Sequence, residues 1–307
     1  MIECYNNYII NPTVELTPSI RISPFKEDNF SCLNVDESIA LQYLSDRFGD
    51  YMLTMKARDA ICLALSYYNL QPNDVVTILT TSNNFYISSC VTNSIEKYCL
   101  WSREITDRTK VIFVNHEFGY PYMKLESLLN YGLPIIEDCA HSFVSMDTGF
   151  KTGTVGDFVI YSLPKFFPMQ IGGVLVADKL KLDSLKNEIS LEAESYILRH
   201  LSLDINNIAS FVSIRLDNYR YLQKKLENLG IRPFFPLESE TVPGVFLFTW
   251  MDNVDYSSLK IFMQKNGVES SVFYGKKAFF VPIHHRLGRQ HLDYIATLLK
   301  YYINVVC

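Results

Sequence analysis

The sequence has no CxxC pair and no cysteine and histidine cluster at zinc-ligand spacing, which removes zinc fingers, zinc ribbons and dithiol redox centres from consideration. Its seven cysteines, Cys4, Cys32, Cys62, Cys90, Cys99, Cys139 and Cys307, are odd in number and scattered; they read as reduced, mostly buried thiols, and no metal site is expected. No apolar stretch is long enough to span a bilayer, and no positively charged start followed by an apolar run opens the chain, so the expected location is cytoplasmic. An excess of positive charge is also missing. Lys and Arg total 28 against 33 Asp and Glu, a net charge of -5, which leaves no broad basic surface and argues against a nucleic-acid partner. Internal repeats and low-complexity tracts are absent. These exclusions leave a small-molecule partner.

What is present is core material. Hydrophobic residues make up 48% of 307 positions, enough for one large domain and a smaller one. The first 35 or so residues show no sustained period and read as an arm with one short strand. From Lys56 to Leu70, Ala60, Ile61, Ala64, Leu65 and Tyr68 recur at helical spacing, and Gln71-Pro72-Asn73-Asp74 stops the helix. Strand and helix then alternate: strands at Val75 to Leu79, Lys110 to Asn115, Leu133 to Ile136, Phe158 to Ser162 and Gly173 to Ala177, helices at Phe85 to Ile95 and Tyr122 to Tyr131. Such alternation predicts an α/β fold with a mostly parallel sheet between helices, whose ligands gather at the carboxyl ends of the strands. Beyond Asp178 the pattern is helical to about Leu229 with a break near Asp204 to Asn207. It then continues as a small α/β unit with strands at Val245 to Trp250 and Val268 to Phe273, and helices at Tyr256 to Asn266 and Gly288 to Ile303. The expected division is 1–204, a large domain with its N-terminal arm, and 205–307, a small C-terminal domain.

Two residues stand where chemistry is expected. Asp138 follows the buried-looking run Leu133 to Ile136, at the carboxyl end of a strand. Lys165 follows the strand Phe158 to Ser162 and precedes Gly172-Gly173, a pair that lets backbone pass close to a ligand. A lysine amine and a carboxylate are what pyridoxal 5'-phosphate requires: the amine for a Schiff base, the carboxylate to keep the ring nitrogen protonated. Taken singly, an aspartate after a strand or a lysine in a loop is more often just solvated.

The surrounding residues sharpen the reading. Ile136-Glu137-Asp138-Cys139-Ala140-His141-Ser142 resembles the aspartate motif of the DegT/StrS-type sugar aminotransferases. Gly153-Thr154-Val155-Gly156-Asp157, then Tyr161-Ser162, Lys165 and Gly172-Gly173, resembles their lysine segment in order and in lysine-to-glycine spacing. The resemblance covers Tyr51 to Asp178, and again Val281 to Leu299. It implies the aspartate-aminotransferase-like fold, type I among pyridoxal-phosphate enzymes, with Lys165 carrying the cofactor and Asp138 facing the pyridine nitrogen. By the same resemblance His141 meets the ring hydroxyl oxygen and Ser162 the phosphate; the helix start at Ala57 and Arg58 receives the phosphate as well, and Tyr86 stacks on the ring. Buried or surface structural roles are the alternatives for His141, Arg58 and Tyr86.

The implied activity is transfer of an amino group from an amino acid, glutamate in most relatives, to a nucleotide-linked keto sugar, in amino-sugar and polysaccharide biosynthesis. A homodimer is the implied assembly. Two departures accompany the match. Ala57 stands where glycine is common, and the Gly-x-Asn-x-Arg stretch that the family carries around 185–215 to reach the neighbouring subunit's site does not occur here. A cofactor-binding but catalytically degenerate member, acting as a regulator or partner subunit, is therefore the alternative. The dehydratases of the family carry histidine in place of the lysine, so Lys165 disfavours that third reading.

Overall fold

The computed structural model describes residues 3–12, 17–25, 32–149, 151–251 and 254–306. It divides into two compact units, one of Phe25–Ile208 with Glu238–Val242, the other of Met1–Pro24, Ala209–Leu237 and Pro243–Cys307. The N-terminal residues expected in an arm of the large domain thus group with the smaller unit.

In the smaller unit, β1 (Glu3–Tyr5) and β2 (Tyr8–Ile10) form a hairpin where one short strand is expected. Its two-residue turn is Asn6-Asn7, both at positive φ (49° and 67°), the conformation that matches the twist of paired strands and that asparagine tolerates best after glycine.

The larger unit is built on a seven-stranded sheet. Its strands are β3 (Tyr51–Thr54), β4 (Val75–Thr80), β5 (Leu100–Ser102), β6 (Thr109–Asn115), β7 (Ile135–Asp138), β8 (Phe158–Ser162) and β9 (Gly173–Val176), in the spatial order β3-β9-β8-β7-β6-β4-β5. The pairings from β5 through β8 are parallel, while β9 runs antiparallel to both its neighbours. Such a sheet is buried on both faces, and β6 shows how its sequence serves both. Val111 and Phe113 join one apolar cluster with α2 (Ala57–Ser66) and α3 (Ser89–Ile95), while Ile112 and Val114 join another with Leu125 and Leu128.

The helices start later or run shorter than periodicity suggests. Expected from Phe85, α3 begins only at Ser89, where the Ser88 hydroxyl accepts from the Cys90 N–H and caps it. The expected Tyr122 to Tyr131 helix is a 3-10 turn at Glu126–Tyr131. No counterpart in the sequence reading exists for α1 (Ser38–Phe48) and β3. The former buries Ala40 and Leu44 and is tied to α5 (Leu191–Asp204) by Ala40 N donating to Ser202 Oγ and by Arg199 and Ser195 donating to Glu37. Before α5 comes the short α4 (Lys179–Asp183). The predicted helical break falls at the 3-10 turn Ile205–Asn207, after which α6 (Ile208–Leu226) begins.

A four-stranded antiparallel sheet forms the rest of the smaller unit, with β10 (Arg232–Pro233), β11 (Val245–Thr249), β12 (Ser271–Phe273) and β13 (Ala278–Pro282) in the order β10-β11-β13-β12. Its other elements include α7 (Tyr256–Lys265) and α8 (Arg289–Tyr301), and α8 buries Leu292, Ile295, Ala296, Leu298 and Leu299 at three- and four-residue spacing. Among the described cysteines, all free, Cys32, Cys99 and Cys139 are buried while Cys4 and Cys90 are exposed, so burial is less general than expected. No described helix is long and apolar enough to cross a membrane.

One contact fixes how closely β9 approaches β3 and α2. A Cβ on Gly173 would lie 2.3 Å from Thr54 Oγ1, 2.7 Å from the Lys56 carbonyl carbon and 2.8 Å from Ala57 N. Gly173→Ala is therefore expected to force these strands apart and to destabilise the protein by roughly 2 kcal/mol or more, read as a lowered denaturant midpoint at unchanged slope.

Candidate cofactor site

Three parallel strands end side by side on polar residues: β6 on Asn115, β7 on Asp138 and β8 on Ser162. Asn115 and Asp138 are register partners. Just behind them Val111–Val114 of β6, Ile135–Ile136 of β7 and Phe158–Ile160 of β8 are apolar and buried, and Glu137 is the charged residue among them.

Asp138 is 4% exposed, and both its oxygens are engaged. Oδ1 accepts from Ala140 N at 3.0 Å, and Oδ2 accepts from Asn115 Nδ2 at 2.7 Å. Burial pushes its carboxyl above the usual carboxylate range, while the Ala140 N–H, the Asn115 amide and the charge of Lys165 pull it back. A carboxylate oxygen offers two acceptor directions, so each keeps room for one more donor.

Lys165 closes the 3-10 turn Leu163–Lys165 that follows β8, and it is half-buried. The turn is anchored by Leu163 N donating to Gly172 O (3.0 Å), with Phe166 and Phe167 packed on Phe143. Gly172, at φ 134°, donates to Met55 O, and Gly173 pairs with Thr54 on one side and Ser162 on the other. The end of β8 and the start of α2 are thereby drawn to the same end of β9, at Gly173.

Four other residues singled out in the sequence have the following places. Ser162 is half-buried at the end of β8. Ala57 opens α2, whose first turn is braced by Lys56 N donating to Asp59 Oδ2 (2.9 Å). The side chain of Arg58 is exposed and donates to Cys90 Sγ at 3.3 Å, toward α3. Tyr86 is 49% exposed in the segment before α3, its N–H on Asn84 Oδ1.

His141 lies beyond β7 with its ring 5.6 Å from that of Phe118. Phe118 sits at φ 54°, a left-handed backbone that bulky residues rarely adopt, next to Gly119 at φ 88°.

The sequence reading missed the support beneath Asp138. Glu137 is fully buried and takes four donors: Gly153 N and His116 Nε2 on one oxygen, Val155 N and Gly156 N on the other. Since His116 Nδ1 accepts from Tyr122 N, the ring proton lies on Nε2 and the imidazole is neutral. His116, Glu137 and Cys139 have ligand-type atoms within 4.8 Å of one another, but the acceptor positions of Glu137 are filled by N–H groups, which makes the trio a hydrogen-bonded brace. The signal was a Glu inside a buried run followed by a Gly-x-x-Gly segment; the loop 153–156 wraps that carboxylate.

A ring with a basic nitrogen, an aldehyde and a phosphate fits this arrangement. A buried carboxylate with spare acceptor capacity suits the nitrogen, an amine whose charge reaches that carboxylate suits the aldehyde, and the first turn of a ten-residue helix beside a glycine pair suits the phosphate. A family model described as "Putative PLP-dependent aminotransferase" matches residues 45–202. The chain belongs to this family. It is a pyridoxal-phosphate-dependent aminotransferase, and the cofactor of the family is pyridoxal phosphate. No curated protein matches the sequence.

Solved structures share the fold of this aminotransferase at low identity. The aminotransferase TlmJ from Streptoalloteichus hindustanus is 15% identical with a TM-score of 0.72, over 88% of this chain and 91% of the other. For DesI, solved in the presence of its TDP-sugar product, the identity is 13% and the TM-score 0.73, over 96% and 95% of the two chains. A DegT DnrJ EryC1 StrS aminotransferase from Brucella abortus is 14% identical with a TM-score of 0.68, over 86% and 89%.

In the aminotransferase, Glu137→Gln would set an amide N–H against backbone N–H donors in a closed interior. The expected cost is about 3 kcal/mol, measured by denaturant unfolding of the cofactor-free protein.

Proposed function

We propose that this aminotransferase moves an amino group from an amino acid, glutamate, to a keto sugar linked to a nucleotide. The observation that carries the reading is the buried Asp138 carboxylate, with acceptor room to spare and the charge of Lys165 acting on it, at the carboxyl end of β7. Support for a sugar acceptor comes from the fold shared with DesI, whose structure was solved with a TDP-sugar product.

Pyridoxal phosphate, when bound, supplies an electron-withdrawing ring that stabilises negative charge on the amino acid's α-carbon. The rest of the work falls to side chains. Lys165 Nζ would hold the cofactor through its aldehyde and, once released as a free amine, would take the proton from the donor's α-carbon and return it on the far side of the donor's nitrogen. The Asp138 carboxylate holds a proton at the ring nitrogen. His141 orients the ring through its hydroxyl oxygen, and Tyr86 covers one face. The Ser162 hydroxyl, the first-turn N–H groups at Ala57 and the Arg58 guanidinium hold the phosphate, for which Arg58 must leave its contact with Cys90. The second half of the reaction reverses these steps on the keto acceptor. The enzyme works in the cytoplasm as a two-fold homodimer, feeding amino sugars to polysaccharide synthesis.

The missing Gly-x-Asn-x-Arg stretch favours a second reading, a cofactor-binding regulator or partner subunit without transfer activity. Absorbance and product assays separate the two. Cofactor-loaded protein is expected to show a band near the visible edge that borohydride traps on Lys165 and that Lys165→Ala abolishes. Glutamate should bleach that band and release 2-oxoglutarate. A band that persists in glutamate, with no keto acid formed, supports the regulator; wild-type absorbance in Lys165→Ala sinks the lysine assignment for both.

A further inference from the structure

Asp138 needs help that the sequence motif does not supply. A carboxylate closed in at the end of a buried strand tends to take up a proton, and a neutral acid grips a pyridinium poorly. The groups acting on it come from three directions: the Ala140 N–H on its own segment, His116 and Asn115 at the end of β6, and Lys165 beyond β8, while burial and the two neighbouring carboxylates push the adjacent Cys139 thiol well above its usual range. His116 is neutral and spent on Glu137 and Tyr122 N. Lys165, on the reading above, gives up and regains protons as the reaction runs. Asn115 alone among these side chains donates directly to the carboxylate with a group that does not titrate. Its Nδ2 lies 2.7 Å from Asp138 Oδ2, at the short end for N–H···O and typical of donation to an anion. Because a carboxylate only accepts, the amide nitrogen and not its oxygen must face it. With Ala140 N on Oδ1, the two oxygens are pinned from opposite sides, which fixes the carboxylate plane.

We propose that Asn115 is a positioning residue for the cofactor's ring-nitrogen partner: its amide holds Asp138 in orientation and in the ionised form, and so sets how tightly the protonated ring is held. The proposal rests on the reading of Asp138 given above. A purely structural role, filling the end of β6, would leave the charge state of Asp138 untouched.

Cofactor affinity as a function of pH separates the alternatives without any measurement of activity. An ionised Asp138 binds the protonated ring, so affinity falls as pH drops through the carboxyl's pKa in the cofactor-free protein; removing a donor raises that pKa and moves the fall to higher pH. Asn115→Val, similar in size and without a donor, is expected to bind pyridoxal phosphate roughly ten- to a hundredfold more weakly at neutral pH, with the break moved up by about one unit. Asn115→Asp, isosteric with asparagine but able to repel the carboxylate, should move it further. Circular dichroism and thermal melting of the cofactor-free variants check folding, and Asp138→Asn provides the reference. Wild-type affinity and break position in both Asn115 variants, with binding lost in Asp138→Asn, would overturn the role of Asn115 and keep that of Asp138. If Asp138→Asn itself binds as wild type with the same profile, the assignment of Asp138 falls. A fall in affinity with an unmoved break in both Asn115 variants assigns Asn115 to structure only.

Discussion

The rest of the structure is arranged around keeping a negative charge at the dry end of a parallel strand. Water is the ordinary solvent of a carboxylate, and Asp138 has almost none, so its stabilisation comes from fixed dipoles and nearby charges. Those groups arrive from β6, from the backbone just past β7 and from the turn beyond β8, and each is placed by sheet register. A one-residue slip between β6 and β7 would carry Asn115 away from Asp138 and expose the apolar set on each face to the wrong layer.

A second buried acid, Glu137, supports the first from below. Its environment is the opposite case: three backbone N–H groups and a neutral histidine occupy its oxygens, and nothing further can reach them. Adjacent residues of one strand point to opposite faces, so one carboxylate faces the loop 153–156 while its neighbour is left with acceptor room for a ligand. The glycine pair 172–173 completes the frame by letting β9 lie against β3 and the start of α2 at a distance no side chain permits.

Much of the larger unit was legible in the residue pattern because strands buried on both faces read as continuous apolar runs, and five of them, four parallel and the antiparallel β9, stand within a residue or two of where those runs fall. Boundaries governed by single hydrogen bonds were less legible. The cap at Ser88 decides where α3 begins, and the helix-like run from Phe85 gives no hint of it. The strands β3 and β5 are short, and their pairing partners are fixed only by the fold. Chain position was misleading for the first 24 residues, whose apolar side chains Ile10 and Ile20 are buried in the core of the smaller unit.

What the sequence determined by itself was the order of elements, the α/β class and the identity of the lysine and aspartate that match the family's motif, since these depend on local periodicity and on short spacings. The tertiary structure decided which groups surround the carboxylate. Asn115 and His116 lie more than twenty residues before Asp138, and Lys165 lies 165 − 138 = 27 after it. Their action on one another depends on strand order and register, which are set by long-range pairing and leave no trace in any short stretch of residues.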